Sequence, residues 1–408
     1  MGIKNVLWIS AFAPYEKVPH AGGQIHNFYL KNLNKNEHFN VELLSFCEEK
    51  EYDIVKEDLN KFNVTNTIIP WKHNISVDNI IRKAQYLECK YNPWNKYAGV
   101  THDYYWNHIK NFITKLERQP DIIILQWTQM VLYLTLLKKL CPTSKFIAIE
   151  EDVMFLSFLR KTEIAQSKLR NVAAKIRYKK IKKIEINNIK EADLVVLNNP
   201  KDEQLVNDAG IYNTWHWSPY FNSMLEVPRA EIISRDIVFF GAMNRKENSD
   251  SVIWFNKHVF AKLADLNLRF VIVGNKPRDE VLSIASDRVI VTGFVEDIRP
   301  YFQSALCMVA PLVMGAGIKI KVLEGLSAGI PVLTNNIGIE GIPAKNGIDF
   351  LYCKTPDEYI SSILRLIQDN NFAQRLGKNA KIFISENYDY DKDALMFTNK
   401  IKSLCSND

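Results

Sequence analysis

Cysteine is scarce in this chain of 408 residues, and its spacing excludes the sites that cysteine usually builds. The six cysteines are scattered, and no two of them form the C-x-x-C pair of a zinc or redox site. We therefore expect buried, reduced thiols and no metal site. The acidic stretch Asp389–Asp393 lacks a second cluster of ligands and precedes a helical pattern, so we interpret it as helix capping and solvent-exposed charge.

The start of the chain lacks both a membrane-spanning run and a secretory signal. The apolar run Val6–Ala13 is too short to span a bilayer, and no basic head precedes it. Gly2 invites N-myristoylation, but Val6 stands where that motif requires Ser or Thr. We therefore expect a cytoplasmic protein.

A strong charge of one sign is also missing, since 52 Lys and Arg face 46 Asp and Glu, a net charge of +6. A surplus this small does not indicate a nucleic-acid partner. The 47% of hydrophobic residues instead predicts a folded globular protein. At this length two domains are expected, with a hinge inside the polar, proline-bearing stretch 213–231.

Short β-branched runs alternate with longer helical patterns throughout the chain, which is typical of a doubly wound parallel α/β sheet. Five runs occupy the first half, and five more follow the polar stretch: Asn5–Ser10, Val41–Phe46, Asp121–Gln126, Lys145–Ile149 and Leu194–Leu197, then Ile237–Phe240, Arg269–Val273, Val289–Thr292, Cys307–Ala310 and Pro331–Thr334. Two Rossmann-like halves are the simplest account. We predict domains at 1–215 and 216–385, with a helix at 386–408 packing back on the first.

One segment is strongly basic. Residues 160–183 contain ten Lys or Arg and one acid, Glu163, interleaved with apolar residues at roughly helical spacing, which predicts a basic amphipathic helix. Such a helix is either a solvated face packed on the sheet or a contact with anionic lipid headgroups. The second interpretation predicts peripheral association with the inner face of the membrane.

The densest motif runs from Gly315 to Val332, where a glycine loop leads into a helix and then a strand. Gly315 and Gly317 let the backbone approach a ligand, and the helix N-terminus with Lys319 and Lys321 presents positive charge to an anion. Glu324 lies further along the same helix, where its carboxylate can accept hydrogen bonds from ribose hydroxyls. The motif predicts a nucleotide diphosphate site, although a structural turn with surface lysines is the alternative.

With this motif, the segments Phe239–Asn248, Phe270–Asn275 and Val291–Asp297 resemble the retaining GT-B glycosyltransferases called group 1 or family 4, over nearly the whole chain. The resemblance implies two Rossmann-like domains facing across a cleft. It also implies that Glu324 binds the donor ribose and that Val295 and its neighbours line the nucleotide base. Arg245, Lys319 and Lys321 are then the phosphate candidates.

Three positions depart from the family's usual pattern. The family pairs Glu324 with a second Glu eight residues earlier, where this chain has Ala316, and Ala242 stands in place of the Arg that follows the first glycine of this half. Glu151 replaces the histidine of a His-Asp pair at a strand end. These departures leave open a noncatalytic GT-B-like partner that binds sugar or protein.

In the first half, Gly22 and Gly23 resemble the family's glycine loop, where bare backbone lies against donor phosphate and acceptor, although a tight turn explains them too. Glu151 and Asp152 end a predicted strand, so they are candidates for orienting the acceptor, with helix capping by Asp152 as the alternative. Trp127 is a candidate acceptor platform, with core packing as the alternative.

The resemblance implies transfer of a sugar, most simply a hexose, from a nucleotide diphosphate donor to a hydroxyl of a glycan, lipid-linked or protein acceptor, with retention of configuration. It implies no cofactor besides the nucleotide-sugar co-substrate and no metal. Polysaccharide biosynthesis is the expected setting. An epimerase or phosphorylase on the same architecture is a further alternative, because a fold does not determine a function.

Overall fold

In the computed structural model, residues 2–16, 18, 20–71, 77–164, 168–315 and 317–405 are described. The chain forms two compact units. The N-terminal unit consists of Met1–Tyr220 and Tyr390–Asp408, and the C-terminal unit consists of Phe221–Asp389.

The N-terminal unit contains a seven-stranded sheet in which every pair of neighbours is parallel. Its strands are β1 Lys4–Ser10, β2 Phe39–Glu48, β3 Thr65–Trp71, β4 Ile122–Gln126, β5 Lys145–Glu150, β6 Leu194–Leu197 and β7 Thr214–His216. They lie in the order β3-β2-β1-β4-β5-β6-β7, so the strand order reverses between β1 and β4. In open α/β sheets, ligands bind beyond the carboxyl ends of the strands at such a reversal.

Helices cover this sheet, which explains why its central strands are continuous apolar runs rather than alternating ones. They are α1 Ala21–Asn34, α2 Tyr52–Lys61, α3 Val77–Tyr91, α4 Asp103–Ile113, α5 Thr128–Val131, α6 Leu134–Leu140, α7 Met154–Ile164, α8 Lys168–Ile189 and α9 Pro200–Asn207, and later in the chain α16 Tyr390–Cys405. In β4 every residue is buried. Helix α16 packs in this unit through Phe397, whose ring contacts Trp8, Tyr29 and Trp217.

The C-terminal unit contains a six-stranded parallel sheet in the order β10-β9-β8-β11-β12-β13. Its elements are β8 Asp236–Phe240, α10 Lys246–His258, β9 Arg269–Val273, α11 Asp279–Leu282, β10 Val289–Gly293, α12 Arg299–Ser304, β11 Cys307–Ala310, α13 Ile320–Ser327, β12 Val332–Thr334, β13 Leu351–Tyr352, α14 Pro356–Gln368 and α15 Asn370–Asn387. The order reverses between β8 and β11, so ligand binding is expected beyond those two strands.

The predicted fold class, two doubly wound parallel α/β halves, is confirmed, and all ten predicted strands are present within one or two residues of their expected ends. The basic segment differs from its prediction, because residues 160–164 belong to α7 and residues 168–183 belong to α8, rather than to one helix. The apolar residues of α8 are spread around the helix, so this helix is not amphipathic.

Candidate functional site

Glycines follow or end three neighbouring strands of the C-terminal unit and let their loops come very close together. Gly241 and Gly274 have φ angles of +153° and +158°, which side chains rarely allow. A Cβ added to Gly274 would lie 1.8 Å from the carbonyl oxygen of Gly241. The backbone N–H of Gly241 donates to Val273 O at 3.0 Å. Only glycine permits this packing at the sheet edge.

Lys321 is anchored above the carboxyl end of β8. Its Nζ donates to Oδ1 of Asn248 at 2.5 Å, and Nδ2 of the same Asn248 donates to the carbonyl oxygen of Ala242 at 2.8 Å. A Cβ added to Gly241 would lie 2.6 Å from this Nζ, so the missing side chain leaves the space that the ammonium occupies. The ammonium also lies 4.6 Å from the centroid of the Phe239 ring. Asn248, 4% exposed, therefore connects α10, the β8–α10 loop and α13.

The position of α13 follows from two close contacts. A Cβ on Gly325 would lie 2.6 Å from Sδ of Met308, so the helix packs tightly on β11. Gly329, with φ +68°, turns the chain after the helix in the left-handed conformation typical of helix ends. The N-terminus of α13 therefore lies beyond the carboxyl end of β11, where its first backbone N–H groups have no partners within the helix.

Burial shifts the pKa values of the two charged side chains of α13, Lys321 and Glu324, in opposite directions. Burial, and next the nearby Arg245, lowers the pKa of Lys321 to about 7. Burial raises the pKa of Glu324, 7% exposed, to about 8, while Lys321 acts in the opposite direction. A bound anion would favour the charged form of Lys321, so Lys321 should become protonated when a negatively charged ligand binds.

The loop before α13 has the backbone that its glycines predict. Gly315 and Gly317 have φ angles of +143° and +68°, and Nζ of Lys319 donates to the carbonyl oxygen of Gly317. Lys319 itself is the N-cap residue, immediately before α13. Ala316, one of the three departures from the family pattern, lies outside the described residues.

The structure brings four of the predicted donor residues together. Arg245, Lys319 and Glu324 all lie close enough to Lys321 to act on its pKa. Arg245 stands at the start of α10 with a side chain 60% exposed and its Nε 3.6 Å from Oε1 of Glu247. Val295 follows β10, and β9 lies between β10 and β8. Val295 is therefore at the same carboxyl edge of the sheet, two strands away from β8.

In the N-terminal unit, Gly22 lies against Trp127 and Glu151. A Cβ added to Gly22 would come within 3.1 Å of Nε1 of Trp127 and 3.6 Å of Cδ of Glu151. A Cβ on Gly23 would lie 2.6 Å from Cε1 of His20, whose Nδ1 accepts a hydrogen bond from the backbone of Gly23. A side chain at Gly23 would thus collide with His20, and one at Gly22 would crowd Trp127.

Glu151 is held by two side-chain amides beyond the carboxyl ends of β4, β5 and β6. Its carboxylate accepts hydrogen bonds from Nε2 of Gln126 at 2.6 Å and from Nδ2 of Asn198. Burial, and next the neighbouring Asp152, raises the pKa of Glu151 to about 8. The preceding Glu150 is fully buried and accepts from Oγ1 of Thr128.

Sequence reasoning assigned no role to Asn248, Gln126 or Asn198. Gln126 ends β4, Asn198 follows β6, and Asn248 lies in the first turn of α10. Only the tertiary contacts show which charged group each amide holds. The sequence also does not predict the φ of +67° at Trp127, because this conformation is unusual for a bulky residue. Trp127 contacts the rings of Phe12 and His26, so it is part of an aromatic cluster.

Two features are absent from the part of the chain that the structure describes. No three His, Cys, Asp or Glu side chains there are grouped as ligands of a metal ion. Within the same ranges, no helix has both the length and the apolar character needed to cross a bilayer.

Comparison with known proteins identifies the class to which this arrangement belongs. HepE of Anabaena, solved in complex with UDP and glucose, aligns with a TM-score of 0.67 over 98% of this chain and 100% of its own, at 11% identity. The fold is the two-domain GT-B fold. Residues 234–369 match the family described as Glycosyl transferases group 1. This match lies within the C-terminal unit, and it confirms the resemblance inferred from the sequence.

Two curated relatives match only part of this chain. The "Uncharacterized 44.6 kDa protein in cps region" of Klebsiella pneumoniae is 22% identical over 168 residues, 38% of this chain and 43% of that protein. An "Uncharacterized glycosyltransferase" of Methanocaldococcus jannaschii is 26% identical over 231 residues, 52% of this chain and 57% of that protein. The chain thus spans about half the length of the curated relatives it matches.

Proposed function

We propose that this chain transfers a sugar from a uridine diphosphate donor to a hydroxyl acceptor, with retention of configuration, and that the C-terminal unit binds the donor. The observation that carries the proposal is the anchored ammonium of Lys321, with Arg245, Lys319 and Glu324 around it, at the end of a helix that presents backbone N–H groups. The complex of HepE with UDP-glucose supports a uridine nucleotide and a hexose.

In the proposed reaction, the leaving diphosphate develops negative charge as the glycosidic bond stretches. Lys321, Lys319 and Arg245 stabilise that charge together with the N-terminus of α13. Asn248 holds Lys321 in place before the donor arrives, so less reorganisation is needed during the reaction. Glu324 accepts hydrogen bonds from the ribose hydroxyls. Val295 and its neighbours line the base.

The N-terminal unit supplies the acceptor contacts in this proposal. Glu151, positioned by Gln126 and Asn198, accepts a hydrogen bond from an acceptor hydroxyl, and Asp152 lies next to it. Gly22 and Gly23 keep the backbone beside Glu151 free of side chains. No residue is assigned as a covalent nucleophile, so the acceptor hydroxyl enters on the face from which the diphosphate leaves, and a phosphate oxygen receives its proton.

The acceptor class is a glycan, a lipid-linked sugar or a protein in this proposal, in the cytoplasm or at the inner face of the membrane. The relative in the cps region of Klebsiella pneumoniae favours a surface polysaccharide. The basic segment 160–183 provides the peripheral contact with anionic lipid.

Calorimetric titration with UDP, GDP, dTDP and their glucose derivatives tests the donor site. We expect selective binding of uridine nucleotides by the intact chain. Glu324→Ala and the pair Lys319→Ala with Lys321→Ala should each weaken it by about tenfold to a hundredfold, because hydrogen bonds to charged groups contribute roughly 1.5–3 kcal/mol.

Matched controls are Glu386→Ala and the pair Lys257→Ala with Lys378→Ala, which remove exposed charges of the same unit. Full binding by the folded site variants would refute the donor assignment. Binding of UDP-glucose without release of UDP in the presence of lipid, glycan and peptide acceptors would favour the noncatalytic partner instead.

A further inference from the structure

A row of aromatic rings follows the carboxyl edge of the N-terminal sheet, starting where the strand order reverses. Trp127 follows β4, Phe12 lies just beyond β1, and Trp71 ends β3. The ring centroids of Trp127 and Phe12 are 5.3 Å apart, and those of Phe12 and Trp71 are 6.0 Å apart. All three side chains are only partly buried. Because ligands of open α/β sheets bind beyond this edge, the row borders the space where a ligand would lie.

The row leads to a polar cluster between α3 and α4, which consists of Arg82, Gln85, His102 and Tyr105. The ring of Tyr105 lies 6.3 Å from that of Trp71 and 4.8 Å from that of His102. Arg82 is close enough to Tyr105 and His102 to act on the pKa values of both. Burial, and next Arg82, lowers the pKa of His102 to about 4. At neutral pH the imidazole is therefore uncharged, and the positive charge of the cluster belongs to Arg82.

Helix α3 turns polar side chains toward the unit and apolar ones toward solvent. Ile80 and Leu87 are 57% and 51% exposed, whereas Nε of Arg82 and Oε1 of Gln85 are buried. Arg82 and Gln85 are three residues apart, so they are neighbours on one face of the helix. A guanidinium on the inward face of a helix requires a partner, because removing a charge from water without one is costly.

The described part of the chain supplies no such partner for Arg82. No carboxylate among those residues forms an ion pair with it. Asp103, which raises the pKa of His102, has its Oδ1 2.6 Å from Nζ of Lys96 instead. The buried Nε of Arg82, Nδ1 of His102 and Oε1 of Gln85 all lack a hydrogen-bond partner. Two nitrogens and one carboxamide oxygen are therefore left for a ligand.

We propose that this polar cluster binds the phosphate group of a sugar-phosphate acceptor, with Arg82 as its cation. A guanidinium is planar and donates two parallel hydrogen bonds to phosphate oxygens. Nδ1 of His102 adds a third donor in the tautomer that protonates this nitrogen. Oε1 of Gln85 accepts from a hydroxyl, so the cluster fits a phosphate ester of a sugar better than a bare ion. The aromatic row then provides apolar area for the C–H faces of sugar rings.

The inference rests on the proposed function for one point, that the ligand of the N-terminal unit is the acceptor. Among the glycan, lipid-linked and protein acceptors of that proposal, it selects a sugar that carries a phosphate. Binding of a phosphate at Arg82 requires neither donor nor transfer, so the two proposals fail separately.

Melting curves of the full chain with glucose 1-phosphate, glucose 6-phosphate and glucose, at matched ionic strength, test the inference. Saturating UDP occupies the donor site, and the pair Lys319→Ala with Lys321→Ala removes that site from the measurement. Under both conditions we expect the sugar phosphates to raise the melting temperature and glucose to leave it unchanged. A short-chain phosphatidic acid, kept monomeric, represents a lipid headgroup and should raise it less than glucose 1-phosphate.

Arg82→Gln should weaken sugar-phosphate binding about tenfold to a hundredfold, because hydrogen bonds to charged groups are lost. Without ligand this variant should melt no lower than the unaltered chain, since it removes a charge that has no partner in the fold. Arg82→Lys keeps the charge but not the planar fork, so its binding should be intermediate. The matched control is Arg118→Gln, at a side chain of the same unit that is 74% exposed.

Three results would overturn the inference. The first is a rise with sugar phosphate that is equal in Arg82→Gln and in the unaltered chain, or absent from both. The second is a clearly lower melting temperature of ligand-free Arg82→Gln, because Arg82 would then be paired within the fold. The third is a larger rise with the phosphatidic acid than with glucose 1-phosphate, because the ligand would then be a lipid headgroup.

Discussion

The two units bury titratable side chains at corresponding places, beyond the carboxyl ends of parallel strands, but they bury different charges. In the C-terminal unit a cation and a carboxyl, Lys321 and Glu324, shift each other's pKa in the stabilising direction. In the N-terminal unit, carboxyls lie beside carboxyls, and Glu150, Glu151 and Glu185 all have raised pKa values. One unit is arranged to receive negative charge, and the other is arranged to retain protons.

The carboxyl cluster of the N-terminal unit should make the largest difference, and it should act on stability. Glu185 accepts hydrogen bonds from the backbone of Met154 and Phe155 at the start of α7, yet burial raises its pKa to about 8. Burial and the nearby Glu185 also raise the pKa of Glu150. The folded state therefore binds more protons than the unfolded state between about pH 4.5 and pH 8, so stability falls as the pH rises through that window.

Glu150→Gln should reduce this loss, by on the order of 1–3 kcal/mol at pH 8 and little at pH 5, because it removes one of two neighbouring carboxyls. Hydrogen exchange of β5 amides at pH values from 5 to 8, corrected for intrinsic rates, reports the opening free energy of this unit alone. Glu386→Gln, at an exposed glutamate, is the control. A slope with pH that is identical in both variants would show that the cluster does not hold protons.

The paired charges of the C-terminal unit should instead make donor affinity depend on pH. Free Lys321 has a pKa of about 7, and the diphosphate of UDP-glucose should raise it. Binding should therefore take up a proton above pH 7 and weaken by up to about tenfold per pH unit. Calorimetry in buffers of different ionisation enthalpy measures the proton uptake directly.

Lys321→Arg keeps the charge at every pH in this range and should abolish the uptake. Glu324 titrates nearby, so the same titrations in a Glu324→Gln background isolate the lysine. Affinity of the unaltered site that stays constant from pH 6.5 to 8.5 would contradict the proposed contact between Lys321 and diphosphate.

The smallest expected effect concerns Asn248, which positions Lys321 rather than binding donor. Asn248→Ala should weaken UDP-glucose binding about threefold to tenfold, the effect of one hydrogen bond. Asn248→Asp also loses the donor to Ala242, but its carboxylate should raise the pKa of Lys321 and move the pH dependence upward. Equal pH profiles for the two variants would indicate a purely structural role for this residue.

The two units also differ in how far sequence reasoning could describe them. In the C-terminal unit, Lys319, Lys321 and Glu324 occupy one loop and one helix, so their spacing alone predicted that they would be neighbours. The acidic end of β5 was found as well, but its partners Gln126 and Asn198 come from other strands. Three of the four edge strands, β3, β7 and β13, were missed, because they are only partly buried and β7 and β13 are also very short.

What the sequence by itself determined is the doubly wound α/β class, since buried parallel strands must be continuous apolar runs, and the donor motif, whose residues are close along the chain. What only the tertiary structure decided is which groups share a desolvated environment: Asn248 with Lys321, Glu150 with Glu185. It also decided that α3 faces outward with its apolar side. Burial and pairing across distant segments depend on the packing of whole elements, and no local pattern contains that information.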